Sequence, residues 1–261
     1  MILIHSSSGN FITTTENKEK NRRKKRTSRS FLAILLLIMA IVLTSLFSPF
    51  FNIININVKG NKTIDSQSII DASGIEKGIN IFRVNIGEAK QNICQIPYID
   101  SVKINRNLPS RITITVIERK PVGYIPFMGS YILIDRKGNV LEVVSQLTNK
   151  NLPIIRGLKF NEFKLGETIQ VDQEKKLAVI VSCMKEIINY QLLQQVSQID
   201  VHDINSIQLT IEDRIKVNLG DSLKMNYKVN FLKQILDELQ DGEKGYVDLS
   251  NEDRATFRPN E

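Results

Sequence analysis

Side chains that could hold a metal ion come together at one point of the sequence, the stretch DVHD. Here His202 lies between Asp200 and Asp203. Imidazole and carboxylate groups do bind zinc, but a metal site normally gathers ligands from several elements and orients them with further hydrogen bonds. Three near neighbours in one short stretch are more typical of a solvated strand end. We therefore predict no metal site and no cofactor.

A catalytic nucleophile is equally hard to find. Covalent catalysis needs a reactive side chain within hydrogen-bond reach of a base, and the sequence has no GxSxG, HExxH or phosphate-loop motif. Cys94 and Cys183 lie in predicted helices with apolar neighbours and no nearby cation or histidine to stabilise a thiolate. Two buried thiols are favoured, and a disulfide bridge is the alternative. The sequence predicts a chain without catalytic residues.

The positive charge of the chain is concentrated at its start. Residues 1–30 carry eight Lys and Arg against two Glu, and the whole chain has a formal charge of +7. No charged residue occurs between Arg29 and Lys59, and Phe31–Phe51 is long and apolar enough to span ~30 Å of hydrocarbon as a helix. A basic cluster on one side predicts a cytoplasmic tail and an exported remainder.

Two other interpretations of this segment are weaker. A cleaved signal peptide has an apolar region of about 7–15 residues followed by a small-x-small site, and SLFSPFF is a poor cleavage site. A nucleic-acid-binding domain spreads its basic residues over a folded face, whereas here they are confined to the tail. We therefore predict an uncleaved membrane anchor.

Residues 52–122 have the pattern of a small α+β domain. A strand and turn in INVKGNKTI precede a helix that Asp65 caps and Gly74 ends, and Asn85 begins a second helix. Apolar residues then alternate with polar ones in SVKINRN and RITITVIE, on either side of a turn at 107–110. The predicted order is β-α-α-β-β.

Residues 123–261 predict a second α+β domain with an antiparallel sheet. The stretch YILIDRKGNVLEVV reads as a hairpin, and Asp172 begins a helix over 172–190. Short strands follow near 199–201, 207–211 and 215–219, then a helix over about 224–240. YVDL and ATF form a final pair of strands.

In order and spacing, these segments resemble the FtsQ/DivIB family of bacterial cell-division proteins. The resemblance rests on VKGNKTI, RNLPSRITITVIERKPVGYI, YILIDRKGNVL, LPIIRG and GYVDLSNEDRATFRP, and it covers nearly the whole chain from Phe31 onward. It implies that 52–122 is a POTRA-like domain and that 123–261 is the family's β domain. The cytoplasmic tail is short for the family.

The resemblance also implies a role and partners. The chain would be a non-catalytic scaffold in the plasma membrane at the division septum, binding FtsL-like and FtsB/DivIC-like bitopic proteins and linking them to septal peptidoglycan synthesis. The alternatives are a membrane-anchored extracytoplasmic cell-wall enzyme and a POTRA-type secretion or assembly factor. The first lacks a catalytic cluster, and the second would bring several POTRA units or a transmembrane β-barrel.

Two groups of residues are candidate contact sites. The final hairpin ends in a strand that no later segment covers, so its edge could accept a strand from a partner, with Arg254 and Arg258 favouring an acidic one. The residues assigned to partner binding are Tyr246, Val247, Leu249, Arg254, Ala255, Thr256 and Phe257. A separate recruitment surface is expected at Val58, Gly60, Asn61, Arg119, Lys120 and Pro121.

The charge asymmetry around the apolar segment makes a testable prediction of topology. A reporter fused after Ser30 should be active only in the cytoplasm, and one fused after Leu141 only outside it, because the basic tail is retained on the cytoplasmic side. Paired cytoplasmic and export-dependent reporters measure this. A cytoplasmic signal from the Leu141 fusion would overturn the topology.

Overall fold

The computed structural model of the chain describes residues 31–41, 44, 47–240, 242–251 and 254–259. Its strands are β1 (Asn55–Lys59), β2 (Ile99–Asn107), β3 (Arg111–Glu118), β4 (Pro121–Phe127), β5 (Ser130–Asp135), β6 (Val140–Val144), β7 (Ile154–Arg156), β8 (Val196–Asp200), β9 (Ile207–Ile211), β10 (Ile215–Gly220), β11 (Gly245–Asn251) and β12 (Arg254–Pro259). Its longer helices are α1 (Ser66–Ser73), α2 (Ile86–Cys94), α3 (Glu174–Asn189) and α4 (Met225–Glu238).

The segment predicted as a membrane anchor is described only in part. Residues 31–41 and 44 are helical, and Pro49–Phe51 form a 3-10 turn. Within the described ranges, no helix is both long and apolar enough to cross a bilayer. The basic tail, residues 1–30, lies outside the described residues. The anchor and its orientation stay predictions.

A smaller compact unit gathers the described residues up to Ile56 together with 76–84 and 106–112. The backbone of Ile53 exchanges hydrogen bonds within it, donating to Ile79 O at 2.9 Å and accepting from Gly78 N at 2.8 Å. The guanidinium of Arg106 donates to two further carbonyl oxygens, Ile81 O at 2.9 Å and Val84 O at 2.7 Å. These bonds hold together segments that are distant in sequence.

The larger unit comprises 57–75, 85–105 and 113–261. Helix α1 begins where Asp65 accepts a hydrogen bond from Gln67 N and ends at the left-handed Gly74, as the sequence predicts. The side chain of Asn85 accepts from two amides at the start of α2, so this predicted cap is also confirmed. Strands β1, β3 and β2 form a three-stranded sheet in that order, which completes the predicted β-α-α-β-β arrangement.

The remaining strands form one nine-stranded sheet in the order β12-β11-β10-β9-β8-β7-β4-β5-β6. The prediction of an antiparallel sheet is wrong, because β4–β7, β7–β8 and β10–β11 are parallel pairs. Helix α4 connects β10 to β11. A connection of this length lets the chain cross back to the start of β10, so that β11 can run parallel to it. The sheet is therefore mixed.

Helices α3 and α4 bury apolar faces in the main core. On α3, Ile180, Met184 and Ile187 are buried, and on α4 Met225, Val229 and Leu232 are buried. The predicted start of α3 at Asp172 is wrong: α3 begins at Glu174, after the N-cap Gln173, whose side chain makes no capping bond. A polar bridge joins the helices, because Asn226 donates to the buried Glu186 carboxylate at 2.9 Å.

The short strand β7 joins the two groups of strands into one sheet. It pairs with β4 at Tyr124 and with β8 along its whole length. Gly157 follows directly, with φ +95, and a Cβ there would lie 2.3 Å from His202 N. Only glycine lets the chain leave β7 this close to the backbone after β8.

Gly157→Ala should therefore destabilise the fold strongly, by more than about 3 kcal/mol, because it adds a backbone clash to an unfavourable φ. Gly129→Ala is the matched control, since Gly129 also has a positive φ of +82 but no atom within 4 Å of the added Cβ. The control should cost only about 1–2 kcal/mol. Denaturant unfolding of both variants measures the difference, and equal losses would contradict the close approach.

Candidate docking surfaces

The DVHD stretch is a local turn. Asp200 accepts hydrogen bonds from His202 N at 2.9 Å and contacts its Nδ1 at 2.7 Å, while Asp203 accepts from Asn205 N at 2.9 Å. Each carboxylate thus closes its own stretch of backbone. In the part of the chain that the structure describes, no group of three or more His, Cys, Asp or Glu side chains could hold a metal ion.

The two cysteines are both free. Cys183 is fully buried on α3, and burial raises the pKa of its thiol to about 12, so it stays protonated and inert. The prediction that Cys94 is also buried is wrong: it is the last residue of α2, and it is exposed. Its apolar neighbour Ile93 is the residue that is buried there.

One carboxylate links the two stretches of chain that contain the predicted recruitment residues. We call Val58, Gly60, Asn61, Arg119, Lys120 and Pro121 the junction surface. Glu118, the last residue of β3, accepts hydrogen bonds from three successive backbone amides, those of Lys62, Thr63 and Ile64, at 2.9–3.2 Å. The loop after β1 is thereby tied to the start of the stretch Arg119–Pro121, so two segments far apart in sequence become neighbours.

Close packing and internal hydrogen bonds shape this loop. Gly60 has φ +88, and a Cβ there would lie 2.2 Å from Val116 O, so no other residue fits. The side-chain amide of Asn61 donates to Ile64 O at 2.9 Å and to Ser66 Oγ at 3.1 Å. Gly60 and Asn61 therefore set the form of the loop, while Lys62 and Thr63 are its exposed residues.

Arg119 anchors the chain on the other side of Glu118. Its backbone N–H donates to Tyr98 O at 2.7 Å, and its guanidinium donates to Gly166 O at 3.0 Å. Its Nε is buried, lies 3.9 Å from an Asp135 carboxylate oxygen and has no hydrogen-bond partner. Lys120 is exposed. The junction surface is thus a fixed backbone with an exposed cation.

The second candidate surface is the end of the nine-stranded sheet. Strand β12 pairs with β11 and is the last strand of the order, so one side of it faces no further strand among the described residues. The side chains of Arg254 and Ala255 lie outside the described part of the chain. The direction of the backbone groups of β12 decides what this edge can bind.

The register fixes which backbone groups of β12 face outward. Gly245 N donates to Arg214 O, so the peptide groups of Gly245 and Val247 face β10, and those of Tyr246 and Asp248 face β12. Their partners across the pair are Arg258 and Thr256. The N–H and C=O groups of Ala255 and Phe257 therefore point to the open side.

The alternation of inward-facing and outward-facing peptide groups along β12 is not interrupted by the register shift in the β11–β12 pair. The register shifts between Asp248 and Asn251, and the extra residue is in β11, so β12 itself alternates regularly. Thr256, one of the residues assigned to partner binding, therefore has its N–H turned away from the open side. Its N–H faces Asp248 within the hairpin. Pro259, at the end of β12, has no N–H to offer.

The side chains of the hairpin divide between its two faces. Val247 and Leu249 are buried, at 0% and 4% exposure, and hold β11 to the main core. Phe257 is half-buried, packs against the same core and has its ring across Gly245, where a Cβ would lie 2.4 Å from Cε2. Tyr246 and Thr256 are half-buried on the opposite face.

Two family models match the chain. A model described as "POTRA domain, FtsQ-type" matches residues 51–119, and one described as "Cell division protein FtsQ/DivIB, C-terminal" matches residues 124–250. The junction surface lies within or beside the first match. Strand β12 follows the end of the second.

Curated relatives match most of the chain. The cell division protein DivIB of Clostridium botulinum strain Hall is 33% identical over 84% of this chain and 86% of its own length. DivIB of Clostridium acetobutylicum is 36% identical over 82% of this chain and 85% of its own. Among solved structures, the extracytoplasmic domain of DivIB from Geobacillus stearothermophilus aligns with a TM-score of 0.32 and 11% identity, covering 47% of this chain and 98% of that one.

The Glu118 contacts predict a pH dependence of stability. Partial burial raises the pKa of this carboxyl, but hydrogen bonds from the amides of Ile64, Thr63 and Lys62 outweigh it and lower the pKa below its ordinary value. The stabilisation is therefore complete above the unfolded pKa and is lost as the pH falls through the folded pKa.

Between about pH 7 and pH 3, the unfolding free energy of the wild type should fall more than that of Glu118→Gln, which should already be lower at neutral pH by about 1 kcal/mol. Denaturant unfolding at several pH values measures this. Glu162→Gln, at an exposed glutamate outside the junction surface, is the control and should follow the wild type. Parallel curves for the wild type and Glu118→Gln would show that the carboxylate contributes nothing through its charge.

Proposed function

Because the chain belongs to the FtsQ/DivIB family of cell division proteins, we propose that it is a membrane-anchored scaffold of the bacterial division apparatus. It binds FtsL-like and FtsB/DivIC-like bitopic proteins and links them to septal peptidoglycan synthesis. One helix within Phe31–Phe51 anchors it in the plasma membrane at the septum, with the N-terminus in the cytoplasm. The family is a non-catalytic part of the division machinery, so the chain is not an enzyme.

The open edge of β12 is the observation that supports partner binding most directly. Unpaired N–H and C=O groups at a sheet edge invite pairing with another chain, and proteins either cover such an edge or use it. Ala255 and Phe257 present two sets of these groups to the open side. A partner segment in extended conformation adds to the sheet there, and backbone hydrogen bonds supply much of the affinity.

The hairpin is rigid enough to act as a template. Val247 and Leu249 anchor β11 through their buried side chains, and the ring of Phe257 holds β12 against the core. Their role in partner binding is to present the edge. Tyr246 and Arg258, on the other face, remain free to contact side chains of the added strand. A preformed edge of this kind lowers the entropy cost of association.

The junction surface serves a second, separate contact. Val58, Gly60 and Asn61 form one side of it, and Arg119, Lys120 and Pro121 form the other. The Glu118 hydrogen bonds support this proposal, because they fix the two sides as one surface. We assign to it the recruitment of the chain to the division site by another divisome component.

A proline substitution at an outward-facing position tests the proposed function. Ala255→Pro removes an outward N–H from β12 and places a ring on the open side, so it should reduce partner binding at least about tenfold while the chain stays folded. Tagged full-length variants are purified from dividing cells, and the co-purified division proteins are quantified by mass spectrometry.

Thr256→Pro is the matched comparison, because its N–H faces β11. It should lower the melting temperature of the chain, since it removes the hydrogen bond that Thr256 N donates within the β11–β12 hairpin. Full recovery of the FtsL-like and FtsB/DivIC-like proteins with a folded Ala255→Pro chain would rule out strand addition at this edge. Absence of division proteins from the wild-type purification would contradict the scaffold function itself.

A further inference from the structure

An open cavity of about 400 Å³ lies against the junction surface. We propose that it binds an acidic segment of a protein partner, in which a carboxylate side chain stands beside a large apolar one. This deepens the proposed function and rests on it, because it assigns a chemistry to the partner that the junction surface recruits. The lining residues are Asp100, Ile117, Glu118, Arg119, Lys120, Pro121, Val122, Asp135, Arg136, Ile188 and Leu193.

Part of the lining is apolar. Ile188 and Leu193 are half-buried, Val122 is buried, and Ile117 is 60% exposed beside them. An exposed aliphatic side chain next to a concave apolar wall is a feature of surfaces that bind other molecules. The volume is at the lower end of the ~300–1,000 Å³ typical of ligand sites, enough for a few side chains of a peptide segment.

The three carboxylates of the cavity are already occupied by the chain itself. Glu118 binds the backbone amides of the loop after β1. Asp135 accepts hydrogen bonds from Lys137 N at 2.8 Å and from the backbone and side-chain amides of Asn139 at 2.9 and 2.8 Å. Asp100 forms an ion pair with Lys137 at 2.8 Å. Each of the three thus already has hydrogen-bond donors from the chain, and the charges of Arg119 and Arg136 also act on Asp100.

Two of the three cations that line the cavity have no ion-pair partner among the described residues. Lys120 and Arg136 are exposed, and neither forms an ion pair within the described residues. Arg119 is 3.9 Å from its nearest carboxylate oxygen, beyond hydrogen-bond distance, so its charge is only partly compensated. Lys120 and Arg136, which have no ion-pair partner among the described residues, therefore favour an anionic group at the cavity.

Charge and shape together identify the occupant. A carboxylate between Lys120 and Arg136 gains charge-assisted hydrogen bonds, and a neighbouring Leu, Ile or Phe side chain covers Ile117 and the apolar wall. A basic segment would have to compete with the existing donors for the carboxylates, and Lys120 and Arg136 would repel it. An acidic-apolar peptide segment therefore fits both halves of the lining.

Selection from random peptides tests this without a known partner. The probe is a phage library of random dodecapeptides, selected on the full-length chain purified in detergent and, in parallel, on a Lys120→Glu/Arg136→Glu variant. Peptides enriched only on the wild type should carry Asp or Glu beside Leu, Ile or Phe. Their affinity is then measured by fluorescence anisotropy with the peptide and with its Gln or Asn counterpart.

The expected loss is at least about tenfold for the double variant and for the amide peptide, because each removes the charge pairing. Raising the salt from about 0.1 M to about 1 M, which shortens the Debye length from ~10 Å to ~3 Å, should weaken binding as well. Lys103→Glu/Lys175→Glu is the matched control, since it makes the same charge change at two exposed lysines outside the cavity and should bind normally.

A milder Lys120→Gln/Arg136→Gln variant should also lose binding, which separates lost attraction from introduced repulsion. The inference falls if no peptide is enriched on the wild type over the double variant, or if the enriched peptides lack acidic residues. If the inference falls but division proteins still co-purify with the wild type, the proposed scaffold function is not contradicted. Acidic peptides that bind while no division protein co-purifies would contradict the proposed function alone.

Discussion

Three residues, Ile154–Arg156, join two groups of strands into one sheet, because β7 pairs with β4 on one side and with β8 on the other. Without this strand, β4–β6 would be a separate ribbon and the sheet would begin at β8. Gly157 permits the connection by bringing the end of β7 against the backbone that follows β8. Because of this continuity, β12 is the edge of one nine-stranded sheet rather than of a five-stranded one.

The passage from β3 to β4 imposes a second constraint. Two consecutive residues bind in different directions: Glu118 holds the loop after β1, and Arg119 holds Tyr98 and the backbone at Gly166. Both use backbone partners, whose positions a side-chain rotation cannot change. The exposed Lys120 and the cavity beside it therefore lie on a preorganised support, which favours binding because little conformational entropy is lost on association.

Much of this fold could be predicted from the sequence, since period-two and helical patterns, the Asp65 and Asn85 caps and the glycine at the end of α1 act locally. The parallel pairings could not, because a three-residue strand such as β7 has no periodicity and its partners are set by the tertiary fold. At the sites, motif positions located the final hairpin and the junction stretches. The direction of each β12 amide depends on register, and the role of Glu118 depends on a contact across more than fifty residues.

Amide hydrogen exchange at single-residue resolution tests the central claim, that β12 is an open edge which accepts a partner strand. In the free chain, the amides of Ala255 and Phe257 should exchange fast, and those of Thr256 and Arg258 slowly, because only the latter are bonded to β11. When the co-purified division partners are bound, the amides of Ala255 and Phe257 should become protected. Protection of Phe257 in the free chain, or no change on partner binding, would contradict the account.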